Sequence, residues 1–141
     1  MKVKIKKLSP DAKIPKYAKP GDACMDLYAV NHTVDKFGNQ VYDTQIAIEI
    51  PEGHVGLIFP RSSISKTTGM SLRNAVGVID SGYRGPIILK FASPLGAGVY
   101  LAGDRVGQIM ILPYPEIEYV EVNELSDSAR GSGGFGSTGT S

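Results

Sequence analysis

The last dozen residues, Arg130 to Ser141, hold the densest set of groups able to bind a phosphorylated ligand. They read RGSGGFGSTGTS, with five glycines and five Ser or Thr residues. Glycines let backbone N–H groups turn inward as an anion-binding nest. Arg130 can grip phosphate oxygens with its planar guanidinium, and Phe135 can stack on a flat ring. Because the segment has no apolar face to bury, it is expected to become ordered only when a ligand binds, and then to cover that ligand as a lid.

A flexible linker or a frayed terminus is the other interpretation, because Gly/Ser-rich tails commonly have that role. The spacing Gly131-x4-Gly136-Ser137-Thr138 is similar to a phosphate-binding P-loop. That motif requires a Lys before the Ser/Thr and a helix after it. Neither is present, which argues against a P-loop NTPase.

A second candidate lies between Gly77 and Gly85, which read GVIDSGYRG. A buried strand ends in Asp80, turns through Gly82 and presents Tyr83 before returning as Ile87-Ile88-Leu89. The pattern predicts a hairpin with a general base, Asp80, and an aromatic platform for a sugar or base at its tip. Asp-Ser-Gly is also an ordinary turn composition, so a purely structural turn is the alternative.

Three weaker clusters carry polar groups at turns. Arg61, Ser62 and Ser63 follow an apolar strand and suit phosphate oxygens, or alternatively form a surface turn with a helix N-cap. Asp26 enters a strand within GDACMDL, and Gln108 stands among apolar residues within GDRVGQ. An isolated acid is commonly a solvated turn residue, and a buried Gln needs hydrogen-bond partners.

Composition excludes several other classes. Two histidines and one cysteine cannot supply the four ligands of a structural zinc site. A net charge of +1 gives no case for stable binding to nucleic acid or to an anionic membrane. No apolar run approaches the roughly 20 residues of a membrane span. The single Cys24 rules out an intrachain disulfide and suits the reducing cytoplasm.

The elements that position these groups are predicted to be β-strands. Alternating runs occur at 3–6, 46–50 and 117–122, and denser runs, expected to be buried on both faces, at 55–59, 75–79, 87–91 and 106–112. One short helical turn is expected across 62–66. The pattern predicts an all-β sandwich or barrel-like fold. The chain divides into a β-rich catalytic core, 1–125, and a flexible glycine-rich lid, 126–141.

Taken in order, the clusters resemble the five motifs of the trimeric deoxyuridine triphosphatase (dUTPase) family. The matching segments are DACMDLYA, PRSSI, GVIDSGYRG, GDRVGQ and RGSGGFGSTG, from about residue 20 to residue 140. The departures are Cys24, where the family usually has Gly, Ser63, often Gly, and Gly82, commonly an acid. The resemblance implies a β-clip or jelly-roll-like homotrimer with exchanged flexible C-terminal tails and active sites between subunits.

The implied reaction is hydrolysis of dUTP to dUMP and pyrophosphate, with Mg²⁺ on the triphosphate and water attacking the α-phosphorus. It keeps uracil out of DNA and supplies dUMP for thymidylate synthesis. Asp80 and Arg130 are the implied catalytic residues, acting on the water and on the γ-phosphate. Asp26 would hold Mg²⁺ through its waters.

The remaining implied site residues bind the substrate. Tyr83 would pack under the deoxyribose, and Phe135 would stack over uracil. The full substrate-binding set is Arg61, Ser62, Ser63, Asn74, Val78, Ile79, Tyr83, Ile88, Gln108, Phe135 and Gly136. Asn74 and backbone groups from Val78 to Ile88 would read uracil, whereas the Arg-Ser turn and Gln108 would hold α- and β-phosphate oxygens.

Two other functions stay open. A dCTP deaminase resembles this family in fold, although the Gly-Phe-Gly tail and the Tyr-Arg-Gly turn argue against it. A non-enzymatic nucleotide-sensing protein on the same scaffold is the second, and an intact Asp80 argues against a purely binding role.

Overall fold

The chain forms short strands that are separated by turns and loops, many of which contain glycine or proline. The computed structural model describes residues 1–95, 97–135 and 137. Within them the chain forms ten strands and one helical turn, α1 (Ile64–Thr67). The strands are β1 (Lys4–Lys7), β2 (Met25–Tyr28), β3 (Asn31–Val34), β4 (Gln40–Asp43), β5 (Ile46–Glu49), β6 (His54–Phe59), β7 (Ser71–Leu72), β8 (Gly77–Ile79), β9 (Ile88–Ala92) and β10 (Arg105–Pro113).

Two four-stranded antiparallel sheets pack against each other, which confirms the all-β prediction. The first has the order β2-β10-β6-β8 and the second β3-β4-β9-β7. A separate two-stranded sheet pairs β1 with β5. Long-range pairing of this kind brings motifs from distant parts of the chain to shared sheet edges.

The core lies between the facing surfaces of the two large sheets. Its buried side chains from these strands are Leu27, Ile58, Val106 and Ile109 on one side, and Tyr42, Leu72, Leu89 and Phe91 on the other. At Gly107 the sheets approach so closely that a side-chain carbon would collide with Leu89 and lie 3.1 Å from the carbonyl oxygen of Phe59. A glycine is therefore required at this point of β10.

The prediction that the dense apolar runs are buried on both faces is wrong for the single chain. Residues alternate instead, with Val78 60% and Ile88 44% exposed while Ile58 and Leu89 are buried. Each large sheet has only one face on the core, so alternate side chains of the run point away from it. The predicted strand at 75–79 also begins later, at Gly77, because residues 73–76 form a turn.

The predicted hairpin from Gly77 to Leu89 is wrong as well. Its turn exists, since the N–H of Tyr83 donates to the carbonyl of Asp80 at 3.1 Å. Its two strands then separate: β8 pairs with β6 in the first sheet, whereas β9 pairs with β4 and β7 in the second. Pro86 lacks an N–H group, and the backbone of Ile87 instead donates to the carbonyl of Ile46 and accepts from the N–H of Thr44. The turn therefore bridges the two sheets.

The alternating run at 117–122 does not form the predicted strand in the described chain. A strand needs a neighbour for its backbone groups, and here the chain leaves its own sheets after β10. Residues 112–132 are all exposed, including Tyr119 at 93% and Leu125 at 87%. We call residues 114–125 the arm. Among the described residues no helix has the length and apolar character to cross a bilayer.

Candidate active site

Three polar groups from different motifs lie at one level across the first sheet. In β10, Gln108 is paired with Asp26 of β2 on one side and with Phe59, the last residue of β6, on the other. The chain leaves β6 through Pro60 into the Arg-Ser turn. Antiparallel register therefore assembles motifs some 80 residues apart in sequence. We call Asp26, Arg61, Ser62, Ser63 and Gln108 the phosphate cluster.

Asp26 is the electrostatic centre of this cluster. Its Oδ1 accepts from Arg61 Nε at 3.1 Å, and its Oδ2 accepts from Arg105 Nη1 at 3.2 Å. The Asp26 side chain is 17% exposed, so the pairs are partly shielded from water. Two guanidinium groups around one carboxylate leave a net positive charge, which suits an anion.

Arg105 is a residue that the sequence reasoning missed. It lies within the GDRVGQ segment, but only Gln108 was singled out there. Its contact with Asp26 depends on the pairing of β10 with β2, where the register shifts between Arg105 and Gly107. The sequence did contain a signal for it. Arg105 follows a turn in the same motif as Gln108, which was already a candidate for binding phosphate.

The Arg-Ser turn keeps donors available at its surface. Arg61 Nη1 lies 3.3 Å from the hydroxyl of Ser63, and Gln108 Nε2 donates to the carbonyl of Pro60 at 3.0 Å, which fixes the start of the turn. Ser63 is the N-cap residue of α1 by position but makes no side-chain capping bond. Within the described residues, the N–H groups of Ser62 and Ser63 have no recorded acceptor. They are suited to phosphate oxygens.

A second cluster surrounds the bridging turn after β8. A shallow pocket of about 190 Å³ is lined by Val78, Ile79, Asp80, Tyr83, Pro86 and Ile88. Five of these six were predicted site residues, and we call this group the nucleoside cluster. The Asp80 carboxylate is exposed and makes no hydrogen bond to any described residue. It is free to act on a water or a sugar hydroxyl.

Tyr83 is held in a defined orientation by its own turn. Its hydroxyl donates to the carbonyl of Pro86 at 2.9 Å. The ring lies over Gly85, where an added side-chain carbon would come within 2.5 Å of the Tyr83 hydroxyl oxygen and 2.7 Å of Cζ. Gly82, in the same turn, has open space around it. Gly85 therefore makes room for the ring, whereas Gly82 does not.

Asn74 enters the site from the turn that precedes β8. Its amide nitrogen lies 3.7 Å from the position that a side chain on Gly77 would occupy. The side chain is exposed, and no hydrogen bond to it is recorded in the described chain. Its amide is thus available to a ligand beside Val78.

The two clusters are far apart within one chain. In the pairing of β6 with β8, Gly56 is opposite Ile79, so Asp80 is level with Val55. The phosphate cluster is level with Phe59, about 13 Å further along the strands at 3.3 Å per residue. Asp26 is also three strand spacings from Asp80, about 14 Å across the sheet. These separations exceed the reach of one hydrogen bond or one bridging water between the two clusters of a single chain.

The tail touches neither cluster in the described residues. Arg130 donates from Nε to the carbonyl of Gly133 at 2.9 Å, within the tail itself. Phe135 is fully exposed. The predicted substrate-binding residue Gly136 lies outside the described residues. The lid interpretation therefore stays a prediction.

The described residues contain no group of three or more His, Cys, Asp or Glu side chains arranged for a metal ion. Mg²⁺ keeps most of its waters and is commonly held by one or two carboxylates and the substrate's phosphates. Asp26, beside two arginines that can also bind phosphate, offers the single carboxylate that such an ion requires.

Comparisons with known proteins agree with the motif order. A family model described as dUTPase matches residues 10–139. The deoxyuridine 5'-triphosphate nucleotidohydrolase of Thermobifida fusca (strain YX) is 42% identical over 142 residues, covering 99% of this chain and 79% of that protein. The one from Hydrogenobaculum sp. (strain Y04AAS1) is 40% identical, with 99% of both chains covered. Staphylococcus bacteriophage 80alpha dUTPase with dUpNHpp superposes with a TM-score of 0.83 at 27% identity, over 99% of both chains.

These matches span nearly the whole chain, and they confirm the family that the five motifs predicted. The structural match extends over both large sheets and confirms the jelly-roll-like fold class. The chain belongs to the dUTPase family.

Proposed function

We propose that this chain hydrolyses dUTP to dUMP and pyrophosphate in a site that two copies build together and a further tail covers. Hydrolysis of dUTP follows from the family and from relatives named deoxyuridine 5'-triphosphate nucleotidohydrolases. The shared site rests on one observation, the separation of the two clusters within a chain. A general base acts across one hydrogen bond or one water. Asp80 of one copy therefore serves a phosphate held by the phosphate cluster of another.

Asp80 is the general base in this proposal. Its free carboxylate accepts a proton from the water that attacks the α-phosphorus, and pyrophosphate leaves. Cleaving a phosphoanhydride needs little covalent help from the protein, because positioning and charge neutralisation do most of the work. The single exposed acid beside a rigid turn meets the positioning requirement.

The α- and β-phosphate oxygens are bound by the members of the phosphate cluster other than Asp26, namely Arg61, Ser62, Ser63 and Gln108. Mg²⁺, when bound, would neutralise charge on the triphosphate, and Asp26 would hold it through its waters. Arg130 of the tail acts on the γ-phosphate as a mobile guanidinium. Asp26 keeps Arg61 and Arg105 oriented before the substrate arrives, so the guanidinium groups need little reorganisation.

The nucleoside cluster selects the sugar and the base. The ring of Tyr83, fixed over Gly85, packs under the deoxyribose and leaves no space for a 2′-hydroxyl. Asn74 and backbone groups near Val78 read the uracil edge. A cytosine edge presents a different donor and acceptor pattern and would leave buried groups unpaired. Phe135 stacks on the exposed face of the base.

A homotrimer is the assembly that we propose, and the arm supports it. Exposed apolar side chains recur along it, among them Ile117, Tyr119 and Val122. Exposed apolar side chains concentrated in one segment mark an interaction site. An apolar groove of about 380 Å³, lined by residues that include Val3, Ile14 and Ile111, offers a complementary surface on a second copy.

The segments that carry these two surfaces also have opposite charge. Seven of the chain's 15 Lys and Arg residues fall within 2–19, which supplies Val3 and Ile14 to the groove, and four of its 14 acids fall within the arm. Light scattering tests the assembly. A mass near three times 15.0 kDa supports the homotrimer, and the mass of one chain contradicts it.

A nucleotide panel tests the activity. We expect pyrophosphate release from dUTP, with far slower release from dCTP, dTTP and UTP. Ammonia release from dCTP would instead identify a deaminase. Binding of dUTP without any turnover would identify a nucleotide sensor.

A further inference from the structure

A buried amide links the β3–β4 turn to the turn that carries Asn74. The turn at 35–39 is organised by the carboxylate of Asp35, which accepts from the N–H groups of Phe37 and Asn39 at 3.0 Å each. Asn39 is only 8% exposed. Its Nδ2 donates to Asp35 at 3.0 Å, which leaves its Oδ1 directed to a different partner.

That partner is Arg73, whose Nε donates to Asn39 Oδ1 at 2.7 Å. The backbone of Arg73 is fixed as well, because its N–H donates to the carbonyl of Lys90 at 2.9 Å. Lys90 Nζ in turn lies 3.4 Å from Asp35. The contacts therefore close a ring at the second sheet, which runs from Arg73 through Asn39, Asp35 and Lys90 back to Arg73.

The residue after Arg73 is Asn74, and the backbone around it is constrained. Ala75 has φ 58°, in the left-handed region that costs a residue with a side chain free energy. Its N–H donates to the carbonyl of Leu72 at 3.1 Å, which closes the turn. A strained turn persists only where its surroundings hold it, and the fixed side chain and backbone of Arg73 provide that hold.

We propose that Asn39 and Arg73 are positioning residues for base recognition: they fix the turn that presents Asn74 and so set the preference for uracil over cytosine. The inference rests on the proposed function, in which Asn74 reads the base. The reacting phosphorus is bound by the phosphate cluster of another copy, so disturbing this turn should affect base binding more than the chemical step.

Kinetics of Arg73→Ala and Asn39→Ala with dUTP and dCTP test the proposal. We expect KM for dUTP to rise and the ratio of kcat/KM for dUTP over dCTP to fall by about tenfold, with kcat within about twofold of the parent enzyme. Arg73→Lys should restore most of the ratio, because its ammonium can still donate to Asn39. Glu52→Gln, at an exposed position in the turn between β5 and β6, is the control and should change neither the KM for dUTP nor the ratio.

A merely structural role would lower kcat for both nucleotides together and leave the ratio unchanged, and that result would overturn the proposal. Asn39 is buried, so its variant can fail to fold. In that case the variants of the exposed Arg73 are sufficient for the test.

The variant Asn74→Ala separates base reading by Asn74 from positioning of its turn by Asn39 and Arg73. If it lowers the ratio and Arg73→Ala does not, the positioning role is wrong and base reading by Asn74 stands. If neither variant lowers the ratio, both fail, whereas dUTP hydrolysis by the parent chain tests the activity independently.

Discussion

At the scale of single residues, two aspartates of the candidate site have different surroundings. Asp26 is partly buried between two arginines, whereas Asp80 is exposed and free of described partners. Both carboxylate oxygens of Asp26 already accept from guanidinium groups, which leaves them poorly placed to contact the attacking water. The exposed carboxylate of Asp80 has both oxygens available, and this is why the proposal assigns the base to Asp80.

Asp80→Asn should abolish turnover while leaving dUTP binding nearly intact. The amide keeps the shape of the side chain but cannot accept the proton, and loss of a positioned base costs roughly 10²–10⁴ in rate. Single-turnover pyrophosphate release gives the rate, and calorimetry with a slowly hydrolysed analogue gives the affinity. Near-normal turnover in this variant would remove Asp80 from its role.

Gly85→Ala should weaken sugar discrimination. The added carbon meets the Tyr83 ring, so the ring must move from its place under the sugar. We expect the ratio of kcat/KM for dUTP over UTP to fall. Gly82→Ala is the matched control in the same turn, since its added carbon meets open space and its φ is not in the left-handed region. Equal effects of the two substitutions would show that flexibility of the turn, rather than the fit of Tyr83, sets the ratio.

At the scale of elements, turns connect the sheets and position both clusters. The β3–β4 turn shows how strongly a local network can act. Hydrogen bonds, chiefly from the Asn39 side chain, lower the pKa of Asp35 to about 2. Lys90 of β9 adds a positive charge, and Arg73 faces the same turn through Asn39.

This lowered pKa predicts a pH dependence of stability. The folded pKa lies below the ordinary value near 3.8, so ionised Asp35 stabilises the fold above about pH 4. That contribution is lost as the pH falls from about 4 towards 2. The difference in urea midpoint between the parent chain and Asp35→Asn should therefore shrink across this interval. A difference in urea midpoint that stays constant from pH 5 to pH 2 would contradict the role of the network. Asp127→Asn, on an exposed segment, is the control and should show no such change with pH.

The tail is the other element with a testable role. Removing residues 130–141 should leave the melting temperature unchanged, because the core clusters end before the arm. Turnover should fall by orders of magnitude, since Arg130 and the cover over the site are both lost. The chain has no tryptophan, so Phe135→Trp provides a single reporter. Its emission should change with a slowly hydrolysed dUTP analogue and Mg²⁺, and much less with dUMP. An equal response to both would rule out closure by the triphosphate.

At the scale of the whole molecule, the sequence predicted what depends on local pattern and motif order. Alternation located β1 and β5, denser apolar runs located β6, β9 and β10, and turn chemistry located the bridging segment at Asp80. Whether β8 and β9 pair with each other could not be read from the chain, because pairing partners are set by long-range register. The contact of Arg105 with Asp26 and the position of the arm depend on the same long-range information.

The central claim is that the base and the phosphate-binding groups of one site come from different copies. Mixing two inactive variants, Asp80→Asn and the double variant Ser62→Ala/Gln108→Ala, tests it directly. Each variant retains the half that the other lacks. Equal amounts of the two variants are refolded together so that copies pair at random. In any site the base is intact in half of the pairings, and the phosphate-binding groups are independently intact in half. About one quarter of the parent activity should therefore return. A mixture no more active than the mean of the separate variants would place the whole site within one chain and contradict the account.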